Sequence, residues 1–433
     1  MKDLVTSFAA TFTIQACNIV SAVLLARFLL PDGRGELATV MLWPMMVVSL
    51  GSLALHEAVA YHAAQRRHGP PAILLSSLAL GCGLSLLLVP LGWLLLEIVL
   101  RDAPPPVRAA GFLYLALIPL NLFGLLIVGL FQGALRFVEW NVLRTLLHLV
   151  FTLLIPIFYL LGWGTVTGFA IASLLAQLCL VTVGVIWAAR NGWLRRAPIV
   201  APARDLTAYG ARIHVGAVVS VLTERLDHMV ISVVLAATDF GLYVVATAVA
   251  RVPTVVAVTF STVAFTKIAA QTDRAGKAAI FARYCRATIL TVLPITLALG
   301  AAVPCILPLF FGPSFTPAAA IAWALLPATV ALGVKAVLSA GLKAIDQAWV
   351  VNRGEAVGLI LMTLSLAVLV PVFGVLGAAC ATSIAQSGIA VFLLRRIGAA
   401  FDVPLRALLV PQRGDFTVLG DFVAALRHGD KTS

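Results

Sequence analysis

"VLTERLDHMV" (Val221–Val230) sets Glu224, Arg225, Asp227 and His228 inside an apolar run extending from about residue 210 to 236. As a helix, that run is long enough to cross the ~30 Å hydrocarbon core of a bilayer. Wound at about 100° per residue, Ser220, Thr223, Glu224, Asp227, His228 and Ser232 fall on one side, with Arg225 at its edge. Val218, Val219, Leu222, Leu226, Met229 and Val233 take the other side. A charge facing lipid at a helix centre costs roughly 2.5–3.5 kcal/mol, and this group together on the order of 10 kcal/mol. The polar side must therefore look at protein or water. Arg225 and Asp227 stand two residues apart and do not face each other on a helix. Each acid needs a partner on another helix, or water.

The rest of the chain agrees with a bilayer setting. Of 433 residues, 61% are hydrophobic and 11% charged, where a soluble domain carries about 25% charged residues. This excludes a soluble globular protein. The formal charge of +12 would suggest nucleic acid in a soluble chain, but here the basic residues cluster between apolar runs and report membrane orientation. No nucleic-acid partner is expected. Cys17, Cys82, Cys179, Cys285, Cys305 and Cys380 lie in or beside apolar runs without CxxC or nearby His; they read as small hydrophobes, with no metal site and no bound cofactor expected. The first 30 residues have too long an apolar stretch for a signal peptide and read as a retained span.

Runs of spanning length occur at about 6–30, 37–60, 72–100, 109–131, 138–161, 166–189, 208–236, 239–263, 283–310, 318–341, 355–373 and 375–396. The expectation is an all-α integral membrane protein of twelve transmembrane helices. With the N-terminus cytoplasmic, 22 of the 30 basic residues fall on the inner side; Arg34, Arg101 and Arg108 fall outside. That asymmetry predicts both termini on the cytoplasmic face. The outer loops are short. The main inner interruption is "RNGWLRRAPIVAPARDLTAYGAR" (Arg190–Arg212), basic and Pro-interrupted, which reads as an anchor and linker; anionic headgroups are its other natural ligand.

The chain also repeats. "GFAIASLLAQ" (Gly168–Gln177) aligns with "GAACATSIAQ" (Gly377–Gln386); Pro119 matches Pro327, Gly133 matches Gly341, and the turn at Gly35 matches that at Gly241. A repeated six-span unit gives two lobes of like orientation, with substrate between them. The expected domains are an N-terminal lobe (1–189), a basic linker (190–207), a C-terminal lobe (208–396) and a cytoplasmic tail (397–433), the lobes enclosing a central cavity.

Other spans carry polar stripes: Asn141, Arg144, Thr145, His148 and Thr152; Thr247, Arg251, Thr254 and Ser261; Ser7, Thr11, Gln15 and Asn18; and Lys335 with Ser339. Together they describe a wet, net-positive interior. Arginine offers forked hydrogen bonds to phosphate oxygens, so such an interior suits an anionic substrate such as a diphosphate. Arg225, Arg251, Arg144, His148, Lys335, Gln15 and Asn18 are the candidate cavity contacts. Asp227, Glu224 and His228 are the candidates for coupling transport to H⁺ or Na⁺, because ionisable groups inside a membrane are functional by default.

"ARFLLPDGRGELA" (Ala26–Ala38), "RLDHMVI…GLYVVA" (Arg225–Ile231, Gly241–Ala246) and the tail "LLVPQRGDF" (Leu408–Phe416) resemble segments of polysaccharide-type flippases. These form the O-antigen, Wzx-like branch of the multidrug/oligosaccharidyl-lipid/polysaccharide exporter superfamily. The resemblance implies movement of an undecaprenyl-diphosphate-linked oligosaccharide across a bacterial inner (cytoplasmic) membrane for polysaccharide or O-antigen (lipopolysaccharide) biosynthesis. Its implied partners are that lipid-linked oligosaccharide, membrane lipids and the glycan polymerase machinery. Mapped by motif, it points to Arg27, Arg225 and Asp227; Arg27 lies off the polar stripe, where it can also snorkel to the interface. An ion-coupled multidrug or cation exporter of the same superfamily is the alternative. It calls for acids in the N-terminal cavity, whereas Glu57 lies near the inner mouth and Glu97 near the outer end. A membrane glycosyltransferase, polymerase or ligase, would need a sizeable outer loop for its acid and base, and no P-loop or catalytic triad is present, so no enzyme activity is expected.

Overall fold

The computed structural model describes residues 2–410 and 412, except the side chains of 2–5 and 8. The end of the expected tail, with the close of the "LLVPQRGDF" motif, lies outside the described residues. All regular elements among the described residues are helices. In order they are α1 (Lys2–Gly51), α2 (Leu55–Gln65), α3 (Pro70–Val99), α4 (Pro105–Tyr114), α5 (Leu117–Gly133), α6 (Phe137–Leu160) and α7 (Val166–Arg190). Then come α8 (Val200–Val234), α9 (Ala237–Ala250), α10 (Thr254–Ala270), α11 (Arg274–Ile306), α12 (Ala318–Ala344), α13 (Ala348–Phe401) and α14 (Leu405–Leu409). Among the described residues, eight stretches are long and apolar enough to cross a membrane, or nine if α9 and α10, bent by 49°, count as one broken span. With its charges mid-run, α8 is not among them.

Two helices are too long for one crossing. At 1.5 Å per residue, α1 and α13 would each run roughly 75–80 Å if straight, more than twice the bilayer core. Each is broken where the sequence separates two spans. In α1 the break is Leu30 (φ 59°, ψ 177°), just before Pro31, whose ring disfavours helical geometry in the preceding residue. In α13 it is Gly374 (φ 57°, ψ −132°), a backbone conformation glycine reaches without Cβ strain.

The run expected as one helix over 37–60 is instead interrupted: α1 ends at Gly51, Leu53 and Ala54 take positive φ, and α2 begins at Leu55. The carbonyls freed there meet α8. Leu50 O accepts from His214 Nε2 at 3.0 Å, and Gly210 lies so close to Leu53 O that a methyl group there would collide. Backbone irregularity at membrane depth requires such substitutes.

The chain divides into two compact units. One comprises Met1–Val221, His228–Val244 and Phe310–Ser314; the other comprises Leu222–Asp227, Val245–Leu309 and the chain from Phe315 onward. In the first unit the expected linker is folded onto the bundle. Its helix, α8, starts already at Val200. Trp193 and Leu206 are buried in a cluster with Leu55, Leu74 and Phe131. Ser76 Oγ donates to Ile199 O at 2.8 Å, and Tyr61 stacks on Tyr209 at 4.2 Å. His68 Nε2 lies 2.9 Å from Asp205 Oδ2; that hydrogen bond, helped by the charge of Arg67, holds the Asp205 carboxyl below the usual carboxylate range. Proline and charge mark this segment as a linker, but its spaced apolar residues make it a strap.

The same unit contains a junction between the α1 break and the α8–α9 turn. Gly35 lies against the Ala237 carbonyl and Gly241 against the Pro31 carbonyl, each too close for a Cβ. Thr238 Oγ1 donates to Asp32 Oδ1, Trp43 Nε1 donates to Ser232 Oγ at 3.2 Å, and Arg27 Nε donates to Phe310 O at 2.7 Å. The repeat seen between the turns at Gly35 and Gly241 thus becomes a mutual fit. Gly168 and Gly377 do matching jobs too, each pressed on a carbonyl of the turn before its helix, Trp163 O and Leu369 O.

The second unit is built on Phe260, Phe281, Tyr284, Leu338, Leu393 and their neighbours. There Gly341 gives room to the Phe281 ring.

In a background without native cysteines, Asp32→Cys with Thr238→Cys is expected to cross-link under mild oxidation. Adding Gly35→Leu should abolish the cross-link by forcing the two carbonyl–glycine contacts apart. Equal cross-linking with and without Gly35→Leu would show that the close approach does not hold this junction.

Candidate functional site: a polar cavity around Asp227

The charged stretch of α8 meets its partners in the second unit. Asp227, only 1% exposed, accepts from Thr382 Oγ1 at 2.9 Å. Thr382 comes from α13, eight residues beyond the Gly374 break. A turn earlier on α8, Thr223 is fully buried and donates to the Glu355 carbonyl at 3.1 Å. Gly358, one turn past Glu355, lets the Thr223 methyl approach. Thr329 of α12 donates to Ala250 O at 2.8 Å, tying α12 to the bend that ends α9.

These groups surround a cavity of about 20 Å³, lined on its polar side by Thr223, Glu224, Asp227, Arg251, Thr382 and Gln386. A cavity needs roughly 10–15 Å³ to hold a water. This one takes a water or a small desolvated cation, and it is far too small for a diphosphate with sugars. Its oxygens are carboxylate, hydroxyl and amide, the donor set of hard cations. Glu224 remains exposed and Arg225 and Arg251 half-buried, and Arg251, Asp227 and Glu224 are all near enough to influence Arg225. Among the described residues no carboxylate lies within ion-pair distance of either arginine.

Lys335 lies apart from this opening. It is 8% exposed and its Nζ sits 2.7 Å from Glu355 Oε1, with Gln386 Oε1 at 3.5 Å. Glu355 Oε2 has no hydrogen-bond partner among the described residues. The ammonium is thus neutralised between α12 and α13. His228, grouped with Asp227 by helical geometry, belongs to the first unit, where its ring stands edge-on to Phe240 at 5.9 Å and Tyr243 at 5.3 Å. The 100° difference between Asp227 and His228 separates them.

In the first unit the stripes on spans one and five meet directly. Asn141 Nδ2 donates to Ser7 Oγ at 2.9 Å, and Ser21 and Thr152 hydroxyls pair at 2.7 Å. Gln15 and Asn18 are exposed beside this seam, and Arg144 and His148 are half-buried. The Arg144 guanidinium lies over the Trp140 ring at 4.4 Å. Arg27 is engaged at the junction described above.

Thr382, Gln386, Thr329 and Glu355 were not picked out from the sequence. A signal existed for two of them. Thr382 and Gln386 sit one turn apart inside the repeated motif "GAACATSIAQ", whose counterpart Gln177 donates to Leu120 O at 3.2 Å. Glu355 opens its expected span, where an acid is not conspicuous.

Among the described residues, eight or more helices long and apolar enough to cross a bilayer define a multi-pass membrane protein. Solved structures agree on the fold. The chain is similar to an inward-facing multidrug resistance MATE family transporter of the MOP superfamily (TM-score 0.75, 15% identity, 89% of this chain and 95% of that one). It is also similar to the lipid II flippase MurJ in an inward closed conformation (0.73, 14%, 98% and 99%). A Vibrio cholerae MATE transporter follows the same course (0.61, 14%, 93% and 96%). A search of curated proteins finds no match. The chain belongs to the polysaccharide biosynthesis protein family, whose model matches residues 24–320. The polysaccharide-type family read from its motifs therefore stands.

Removing one partner of the Lys335–Glu355 pair leaves an uncompensated buried charge, which costs about 3–5 kcal/mol. Lys335→Met is therefore expected to destabilise the purified protein strongly in thermal or denaturant unfolding. Adding Glu355→Leu should recover most of the loss. A double variant no better than the single one would show that the pair is not the source of the cost.

Proposed function

We propose that this protein is a flippase that translocates an undecaprenyl-diphosphate-linked oligosaccharide across the bacterial cytoplasmic membrane. It serves polysaccharide or O-antigen biosynthesis and works by alternating access. The observation that carries the reading is the α8 segment. Arg225 there, with Arg251 nearby, offers positive charge without a paired carboxylate among the described residues, two residues from a buried acid in a cavity of single-ion size. The two features fit two ligands, a diphosphate for the arginines and a small cation for Asp227. Membership of the polysaccharide biosynthesis protein family supports a glycan-bearing substrate.

In this reading Arg225 and Arg251 contact the diphosphate, Arg144 and His148 are a second phosphate-contacting pair, and Gln15 and Asn18 meet the sugars. Lys335 holds α12 to α13, and Arg27 secures the α1 break. Asp227, with Thr382, binds Na⁺ or H⁺, and Glu224 at the mouth draws the cation in. Twelve spans follow if α1 and α13 each cross twice, α9 with α10 once, and α8 once. They then form two six-span repeats with both termini cytoplasmic. The drug-exporter alternative draws support from the MATE-like fold alone. The acid at the start of span five, Glu139, is engaged by Arg136.

The test is flipping in proteoliposomes of a fluorescent polyprenyl-diphosphate oligosaccharide, read by protection from an external quencher. Wild type is expected to flip it, and Arg225→Ala or Arg251→Ala to slow flipping at least tenfold with insertion intact. Full activity in both variants would remove the arginines from the substrate site. Asp227→Asn is expected to leave a flipping rate that no longer responds to a Na⁺ or H⁺ gradient. A gradient response retained at wild-type strength would exclude Asp227 as the coupling site.

A further inference from the structure

Between the start of α1 and the first half of α6 runs an apolar groove of about 330 Å³, walled by Ala9, Ala10, Val138, Val142, Leu146 and Leu149. It exists because Ala9 and Ala10 present only methyl groups where α6 presents branched side chains. Val138, Val142 and Leu149 are each more than 40% exposed, so the groove is open along its length. In a membrane helix pair, the natural occupant of such a groove is a hydrocarbon chain.

Three polar features make this more than a place for bulk lipid. Asn141 lines the groove and is 4% exposed. Its amide nitrogen is satisfied by Ser7, but its Oδ1 is buried with no partner among the described residues. An unmet buried acceptor costs about 1–3 kcal/mol, and a ligand hydroxyl would relieve it. On the neighbouring stripe of α6, Arg144 and His148 stand one turn apart. Among the described residues, neither is in an ion pair with a carboxylate. The Trp140 ring holds the Arg144 guanidinium by its face, which leaves its edge donors for phosphate oxygens.

We propose that the groove receives the phosphate-proximal end of the polyprenyl chain of the transported lipid, with its diphosphate at Arg144 and His148 and a sugar hydroxyl on Asn141 Oδ1. An ordinary phospholipid offers a single phosphate to the Arg144 guanidinium and the His148 ring; a diphosphate offers each of them a phosphate of its own. The inference rests on the flippase reading and adds to it the site where the chain enters.

A polyprenyl-diphosphate oligosaccharide carrying a diazirine on its first isoprene unit, photolysed with the full-length protein in proteoliposomes, tests this. Labels are expected on residues 6–10 and 138–149. They should be competed by unlabelled substrate but not by equal phosphatidylglycerol, and reduced at least fivefold by Ala9→Phe. Arg144→Gln should weaken competition by the unlabelled diphosphate without moving the labels. Labels elsewhere in a wild-type protein that still flips the lipid would overturn the groove and leave the flippase standing. Competition by phosphatidylglycerol as good as by substrate would show a groove for bulk lipid and overturn the proposal as well. Failure of wild type to flip the lipid would instead remove the functional reading, and this inference with it.

Discussion

Hydrocarbon offers no hydrogen bonds, so each polar group carried into it must be answered by another part of the same chain. Asp227 shows the constraint most clearly. Its carboxylate lies within a helix that must reside in the bilayer, and it is answered by Thr382 across more than a hundred and fifty residues of chain. The same rule explains why Thr223 and Thr329 reach for backbone carbonyls on neighbouring helices, and why Lys335 and Glu355 neutralise each other. Such links order α8, α9, α12 and α13 around one point. The residual cavity there exists because the hydroxyls and the amide of Gln386 point inward without filling the space.

Size then decides what that point can do. In the proposed reading, a space that accepts a single water or ion separates ion binding from substrate binding, because no sugar or phosphate fits beside Asp227. Arg225 lies on the same helix turn but does not line that space, whereas Arg251 does. One short polar stretch would then serve two ligands, the side chains for each adjacent to the other's. Coupling between ion and substrate needs that kind of proximity, since a ligand shifts a conformational equilibrium only through differential contacts with its states.

The helix breaks supply the freedom such shifts use. Leu30–Pro31 and Gly374 interrupt the two longest helices, and the α9–α10 bend interrupts another. At the first of these, glycine at 35 and at 241 lets two turns lie backbone to backbone. Contacts made through carbonyls and a single hydroxyl can separate without exposing a large apolar surface. By contrast the strap from Trp193 to Tyr209 is pinned by buried apolar side chains and an aromatic stack, and its opening would expose them to water.

The sequence by itself determined the membrane class of the protein, the approximate course of most of its helices and the existence of a polar side on α8. These follow from hydropathy, from the cost of charge in lipid, and from proline and glycine at the breaks, all of which act locally. It also led to Asp227, Arg225 and Arg251, because ionisable residues in apolar runs are conspicuous. Tertiary structure alone decided their partners. Helical geometry could not tell that Asp227 would meet Thr382 while its neighbour His228 turned to Phe240 and Tyr243, since one residue of rotation chooses a different surrounding helix. Nor could it foresee the break at Leu53–Ala54, which is made possible by His214 and Gly210 from another helix rather than by any local breaker. Pairing in a bilayer is chosen among whole helices, and no single run of residues encodes it.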